Sequence, residues 1–176
     1  AIRPCVWQAS SREDFVDDVQ SMRRRVEDHI PSGEAARQLK LGPGGLRDVE
    51  FSVQLLQMVH GRTDETLRSG TTLDALAALS RGSYVGRRDA STLDHAYRTL
   101  RTLEHRIQLR RMRRTHLMPI GATDLRHLGR ALRIFSEPEK GVTALRSETS
   151  LEVRRLHQRL FYRPLLSAVA RLSDDD

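Results

Sequence analysis

Residues 40–51 read KLGPGGLRDVEF, a glycine-rich stretch that leads directly into an apolar helical pattern. The pattern runs to His60 and is stopped by Gly61. On a helical wheel the apolar side chains form two sectors on nearly opposite sides, and a narrow polar stripe separates them. A helix that is apolar on two sides is packed on two sides. The stripe consists of Arg47, Glu50, Gln54 and Gln57.

The rest of the chain repeats the helical period of 3.6, and alternating strand patterns are scarce. Capping residues, glycines and prolines place the predicted helix ends. This pattern indicates an all-α fold, a helical bundle of about five to seven helices spanning residues 11–172. The first two predicted helices cover residues 11–30 and the stretch from the end of the glycine-rich loop to residue 60. The others cover 72–80, 91–112, 123–135 and 138–160, and Pro164 kinks or breaks the last one.

Residues 1–10 fit none of these helices. The stretch 2–7 is expected to be the last strand of a preceding module, because an isolated strand leaves its backbone groups unpaired. At the other end, the acidic tail 173–176 is expected to be solvated or frayed. We therefore expect that the chain was cut from a larger protein.

Composition excludes several classes of protein. The 176 residues include 30 basic and 23 acidic side chains, for a formal net charge of +7, and a single cysteine, Cys5. One cysteine rules out an internal disulfide framework and a multi-cysteine metal site. The apolar runs are too short to span a membrane, and the first residues do not form a signal peptide. A cytoplasmic location is the expectation, and the seven histidines show no metal-binding spacing.

The glycine-rich loop has two interpretations that the residues alone leave open. Gly42, Gly44 and Gly45 can let the backbone approach a phosphate at the helix start, with Lys40 and Arg47 beside it. Alternatively, the glycines serve turn geometry only, and Asp48 caps the helix. The polar stripe is open in the same way, because Arg47 and Glu50 either line a cleft or pair with each other.

The second charged segment lies between residues 98 and 114, which contain seven arginines and one acid, Glu104. Glu104 falls on an apolar stripe, so we predict a buried structural carboxylate with an arginine partner. The arginines at the helix end can form a docking surface for an acidic partner. Nucleic acid is not the expected partner, since few aromatic residues interleave and no binding motif is present. The docking candidates are Arg106, Arg110, Arg111, Arg113 and Arg114.

Residues 40–54 resemble the K-x-G-x-G-G-(I/L)-R-(E/D)-(I/V)-E-F-x-V-Q signature of the glutamine synthetase adenylyltransferase family. Further agreement lies in 103–108, in Thr115-His116 with Pro119, in 159–162 and in Arg3-Pro4, which resembles the end of that family's catalytic module. The resemblance covers essentially the whole chain. One departure is Leu128-Gly129-Arg130, where the family commonly has an aromatic residue. This departure puts the packing of the predicted helix at 123–135 in question.

The resemblance implies a parent with two nucleotidyltransferase modules, each followed by a helical bundle. This chain is similar to the bundle after the first module, whose half removes AMP from a tyrosine of glutamine synthetase by phosphorolysis and gives ADP. The second half adds AMP from ATP, and the PII signal protein and glutamine set the balance. Implied partners are glutamine synthetase, PII and the parent's own modules, with Mg²⁺ as the cofactor of those modules.

Two roles for this bundle follow as alternatives. In the first, Lys40, Gly42, Gly44 and Gly45 with Arg47 and Glu50 close one wall of a nucleotide or phosphate site. In the second, the bundle is a scaffold that docks PII or glutamine synthetase. The only D-x-D pair of carboxylates lies at 174–176, so no catalytic or metal-binding residue is expected in this chain, and the isolated fragment is expected to be inactive.

Overall fold

In the computed structural model, residue 7 and residues 14–162 are described. Trp7 is helical, so the strand predicted for 2–7 is wrong at that residue. The remainder of the N-terminal stretch, the Ser11 cap, Pro164 and the acidic tail lie outside the described residues.

The all-α prediction is confirmed, because the described residues form seven α-helices and no strand. A single antiparallel bridge joins Gln38 to Leu117. In chain order the helices are α1 (Phe15–Asp28), α2 (Ser32–Ala35), α3 (Leu46–His60), α4 (Thr72–Arg81), α5 (Arg87–Arg111), α6 (Ala122–Ala131) and α7 (Pro138–His157). A 3₁₀ turn (Glu65–Leu67) follows α3, and a π turn (Gln158–Tyr162) follows α7.

Helix α3 is the central element, and α4, α5 and α7 all pack against it. Leu46, Val49 and Val53 on one sector are at most 1% exposed, and Leu55 on the other is 4% exposed. Packing on two sides therefore holds along most of the helix. The prediction of packing on two sides is wrong at Val59, which falls on the first sector in the last turn of the helix and is 40% exposed.

For the helix at 11–30 the sequence predicts an apolar face made of Phe15, Val19, Met22, Val26 and Ile30, and the structure departs from it. Met22 is 41% exposed, whereas Gln20 and Arg23 are buried. The helix presents these polar residues inward because each has a partner there. The side-chain amide of Gln20 donates to the carbonyl of Phe161 over 2.9 Å, and Arg23 reaches a carboxylate described below.

Three predicted helix ends move. Helix α5 begins at Arg87 after Gly86, so Ser91 lies inside it and is not its cap. Helix α6 ends at Ala131, because Arg133 adopts the left-handed region with φ 62° and breaks the repeat. Helix α7 ends as an α-helix at His157 and continues as the π turn.

Helix α6 packs against the start of α7 through Gly129, where a Cβ atom would overlap the backbone of Pro138. Leu128 is buried beside it, and Arg130 is exposed. The departure from the family pattern at Arg130 therefore falls on the surface and leaves this contact intact. None of the helices in the described range combines the length and apolar character needed to cross a bilayer.

Candidate functional site

The glycine loop is packed inside the protein. Gly42, Gly44 and Gly45 are buried, and Gly44 adopts the left-handed region with φ 71°. A Cβ atom on Gly44 would overlap the carbonyl of Ser150 in α7, and one on Gly42 would lie 2.7 Å from the carbonyl oxygen of Gln38. These glycines are therefore required by the close approach of protein backbone, which is the geometry of the turn interpretation.

The backbone N–H groups at the start of α3 are satisfied within the chain. A helix start that binds an anion through its backbone needs such groups free. An anion at this loop would therefore have to contact side chains. The bonds run from Gly44 to Asp48 Oδ2 (2.7 Å), from Gly45 to the Gly42 carbonyl (2.9 Å), from Leu46 to the Leu39 carbonyl (2.9 Å) and from Arg47 to the Lys40 carbonyl (3.0 Å).

Asp48 also anchors α1 through a buried ion pair that sequence reasoning missed. Arg23 Nε donates to Asp48 Oδ1 over 2.7 Å, and the two side chains are 0% and 1% exposed. Arg23 Nη1 donates to the carbonyl of Leu41 in the glycine loop over 3.1 Å. The pair ties α1, the loop and α3 together, and the positions of Arg23 and Asp48 in the sequence give no sign that they meet.

A serine, a histidine and an aspartate meet behind this pair. Ser52 Oγ donates to the backbone carbonyl of Asp48 over 2.7 Å and lies 2.9 Å from His157 Nδ1. His157 Nε2 lies 3.6 Å from Asp48 Oδ1. Burial lowers the pKa of His157, and the carboxylate of Asp48 opposes that shift. Because the three side chains are buried and the serine proton goes to a backbone carbonyl, the group is structural and not a nucleophilic triad.

Glu50 is the focus of a second charged cluster, between α3 and α5. It is 8% exposed, and its Oε2 lies 3.3 Å from Arg47 Nη1 while its Oε1 lies 3.0 Å from Arg101 Nη2. Arg47 and Glu50 therefore do pair, but Arg101, which the sequence did not single out, is the shorter contact. Although burial alone would lower it, hydrogen bonds with Tyr97 and Glu104 raise the pKa of Arg101.

Two cations remain at the edge of this cluster. Arg47 is 35% exposed and its guanidinium lies over the ring of Phe51, 5.2 Å from the centroid. Lys40 is half-buried, and within residues 14–162 its ammonium has neither an ion pair nor a hydrogen bond. Lys40 and Arg47 are therefore the side chains at the loop that an anion can reach.

Glu104 is 2% exposed and has two partners. Arg101 Nη1 donates to its Oε2 over 2.9 Å, and His116 Nδ1 lies 2.5 Å from its Oε1. Since Arg101 contacts both Glu50 and Glu104, it bridges the two carboxylates. The histidine partner could have been suspected only from the presence of Thr115-His116 in the family pattern.

The segments that carry the family pattern converge in space. The carbonyl of His116 accepts from the N–H of Leu39 over 2.8 Å, next to the glycine loop. The side chain of Gln108 donates to the carbonyl of Thr115 over 3.0 Å. Residues 40–51, 103–108 and 115–119 thus form one continuous structural unit.

The five arginines of the predicted docking surface lie near the end of α5 and just after it, and all are exposed. Arg110 and Arg111 pair with Asp124 of α6 at 3.0 and 3.3 Å. No ion pair engages Arg106, Arg113 or Arg114 within the described part of the chain. The same range contains no group of three or more His, Cys, Asp or Glu side chains arranged to hold a metal ion.

Comparison with known proteins supplies the family. The family model described as GlnD PII-uridylyltransferase matches residues 18–161. Bifunctional glutamine synthetase adenylyltransferase/adenylyl-removing enzymes are 63% identical over 98% of this chain in Streptomyces coelicolor, 56% over 100% in Leifsonia xyli and 54% over 96% in Mycolicibacterium smegmatis. The chain spans only 17%, 17% and 18% of those relatives. The chain therefore belongs to the GlnD PII-uridylyltransferase family and, within it, resembles one helical segment of the glutamine synthetase adenylyltransferase/adenylyl-removing enzymes.

Proposed function

We propose that this chain is the helical part of the deadenylylating half of a bifunctional glutamine synthetase adenylyltransferase/adenylyl-removing enzyme. The parent would remove AMP from a tyrosine of glutamine synthetase by phosphorolysis, giving ADP, and would add AMP from ATP in its other half. The observation that carries the proposal is the 63% identity over 98% of the chain to an enzyme of that name. The version of the motif at 47–51, RDVEF, supports the first half of such an enzyme.

Within the parent, the edge of the glycine loop would form one wall of the nucleotide or phosphate site. Lys40 and Arg47 would balance phosphate charge as it develops in the transition state. Glu50 and Arg101 would hold the guanidinium of Arg47 in place, since Glu50 pairs with both arginines. Gly42, Gly44 and Gly45 would contribute by packing the loop against α7, which fixes where the two cations point.

Magnesium chemistry is assigned to the parent's nucleotidyltransferase modules and not to this bundle. The described residues offer no cluster of carboxylates that fits the ion. Mg²⁺ in the parent would organise the phosphates, and the chain on its own would be inactive. Glutamine synthetase, the PII signal protein and the parent's own modules would be the partners, in the cytoplasm.

The test is phosphate-dependent release of ADP from adenylylated glutamine synthetase by the longer parent. Arg47→Ala and Lys40→Ala are each expected to reduce turnover by a factor on the order of 10². Arg62→Ala is the matched control, because Arg62 is an exposed arginine outside the loop and should leave turnover unchanged. Full turnover in both loop variants, with thermal unfolding unaltered, would remove these residues from the active site.

A docking role is the second candidate, and the exposed arginines at the end of α5 favour it. Arg106, Arg113 and Arg114 have no acidic partner within the described range, so they can pair with an acidic surface of another protein. Partner binding by this surface should weaken as salt concentration rises, and turnover of a bound substrate should not change. Salt-independent binding would contradict this role.

A further inference from the structure

A groove of about 520 Å³ lies between the end of α5 and helix α6. Ile107 and Leu128 form an apolar floor that is nearly covered, at 3% and 4% exposed, and Leu109 on its wall is 65% exposed. Helix α6 packs against α7 through Gly129, and the ion pairs of Asp124 with Arg110 and Arg111 join α6 to α5 beside the groove. The lining residues are Arg106, Ile107, Leu109, Arg110, Arg111, Pro119, Asp124, His127, Leu128 and Ala131.

Large apolar side chains stand exposed at this end of the molecule. Leu109 is 65% exposed, Met112 is 87% exposed and Ile120, next to the groove residue Pro119, is 72% exposed. Among the other large hydrophobic residues in the described range, Phe135 and Leu151 are comparably exposed, at 75% and 69%, and they lie on other segments. A local concentration of exposed apolar side chains marks a surface that binds another molecule.

The charge around the groove is almost entirely positive. Arg106, Arg110 and Arg111 line it, and Asp124 is the one acid among its lining residues. Hydrogen bonding from Arg110 lowers the pKa of Asp124, so this carboxylate stays ionised and engaged with the two arginines. The groove therefore offers guanidinium groups above an apolar floor.

We propose that this groove binds an amphipathic helix of a protein partner, with a leucine-type stripe on its apolar face and acidic residues along both edges of that stripe. The trough between two helices suits a third helix, whose apolar side chains at i, i+3, i+4 and i+7 would contact the floor. The acidic residues would pair with Arg106, which lines the groove and has no ion pair within the described residues. A nucleic-acid backbone fits less well, because it would leave the exposed Leu109 of the groove against charged phosphates. The proposal rests on the docking role above and is independent of the phosphorolysis proposal.

The test is fluorescence anisotropy of the full 176-residue chain with three labelled probes. The first is a synthetic peptide of about 18 residues with a leucine stripe flanked by glutamates, long enough for five helical turns. The second has the same composition in scrambled order, and the third is a short DNA duplex. The groove variants are Leu109→Asp and Arg106→Glu. Their controls are Leu151→Asp, since Leu151 is 69% exposed on α7, and Arg62→Glu.

The patterned peptide is expected to bind more tightly than the scrambled one, and each groove variant is expected to weaken it about tenfold, the loss of one interface hot spot. The control variants should bind as the wild type does, and circular dichroism should show all four variants folded. Equal binding of the two peptides, tighter binding of DNA, absence of binding, or equal loss in Leu109→Asp and Leu151→Asp would each overturn the proposal. None of these outcomes bears on ADP release.

Discussion

Arg23 and the arginines at the end of α5 carry the same guanidinium group in opposite surroundings. Arg23 is completely buried, with Asp48, Glu27 and the carbonyl of Leu41 around it. Arg106 and Arg113 are exposed and have no ion pair within the described residues. The charge of the first region is paired inside the fold, and the charge of the second is accessible to another molecule. A count of arginines along the sequence would rank the second region as the more important one, both for the stability of the fold and for the recognition of a partner.

The comparison separates stability from recognition. Breaking a buried ion pair leaves an uncompensated charge away from water, whereas removing an exposed charge leaves nothing stranded. The two regions should therefore respond to substitution on different scales and in different assays.

Asp48→Ala should have the largest effect on stability. It removes the partner of a fully buried guanidinium and the acceptor for the N–H of Gly44, so we expect the free energy of unfolding to fall by about 3–5 kcal/mol. Urea denaturation followed by circular dichroism measures it. Asp124→Ala is the matched control, since Asp124 pairs with arginine side chains as well, Arg110 and Arg111, but on the surface. Similar losses in the two variants would erase the distinction between the regions.

Gly44→Ala should rank second. Alanine is strained at φ 71°, and its Cβ would overlap the backbone of Ser150, so a loss of about 2–4 kcal/mol is expected. Gly33→Ala is the control, because no atom lies within 4 Å of a Cβ at that position. A tolerated Gly44→Ala would mean that the loop is not wedged against α7.

The pH dependence of stability should reveal His157. Because burial lowers its pKa below the ordinary 6.5, the unfolded chain takes up the proton first as the pH falls. The free energy of unfolding should therefore decrease below about pH 6.5, by at most about 1.4 kcal/mol per pH unit for one proton, and be unaffected above it. His157→Gln should flatten that slope. Parallel slopes in urea titrations of the wild type and the variant would show that His157 is not the responsible group.

Arg113→Ala should have the smallest effect. The residue is exposed and makes no ion pair in the described range, so the free energy of unfolding should change by less than about 0.5 kcal/mol. Thermal unfolding measures the change. A loss as large as that of Asp48→Ala would show that Arg113 stabilises the fold, and it would contradict the distinction between the buried and the exposed arginines.

Sequence periodicity predicted the helical class and the central helix well, because apolar side chains must be removed from water whatever their partners are. It predicted α4 to within one residue, with Gly82 as its stop, although the residue that caps the start is Thr71 and not the predicted Thr72. It missed the pairing of Arg23 with Asp48 and of Arg101 with Glu50, which join residues 25 and 51 positions apart. A buried charge is recognisable only once its counter-charge is in place, and that depends on how the helices are packed.

The same limit applies to the candidate site. The sequence could nominate Lys40, Arg47 and Glu50 from their position beside three glycines. It could not tell that the N–H groups at the start of α3 are already bonded, because two of their acceptors are the carbonyls of Leu39 and Lys40 in the turn itself. Only the backbone geometry distinguishes a phosphate-binding loop, whose N–H groups are free, from a packed turn, whose N–H groups are bonded within the chain.

The contact between Gln20 and Phe161 has a consequence for how the domain folds. It joins residues 141 positions apart, and the Ser52–His157 contact behind it joins residues 105 apart. Closing such long loops costs chain entropy before the contacts form, which slows folding relative to helical proteins held by local contacts. Because Gln20 of α1 finds its partner only in the π turn after α7, this contact should form late. During synthesis, the side-chain amide of Gln20 would remain hydrated until the π turn after α7 has been made.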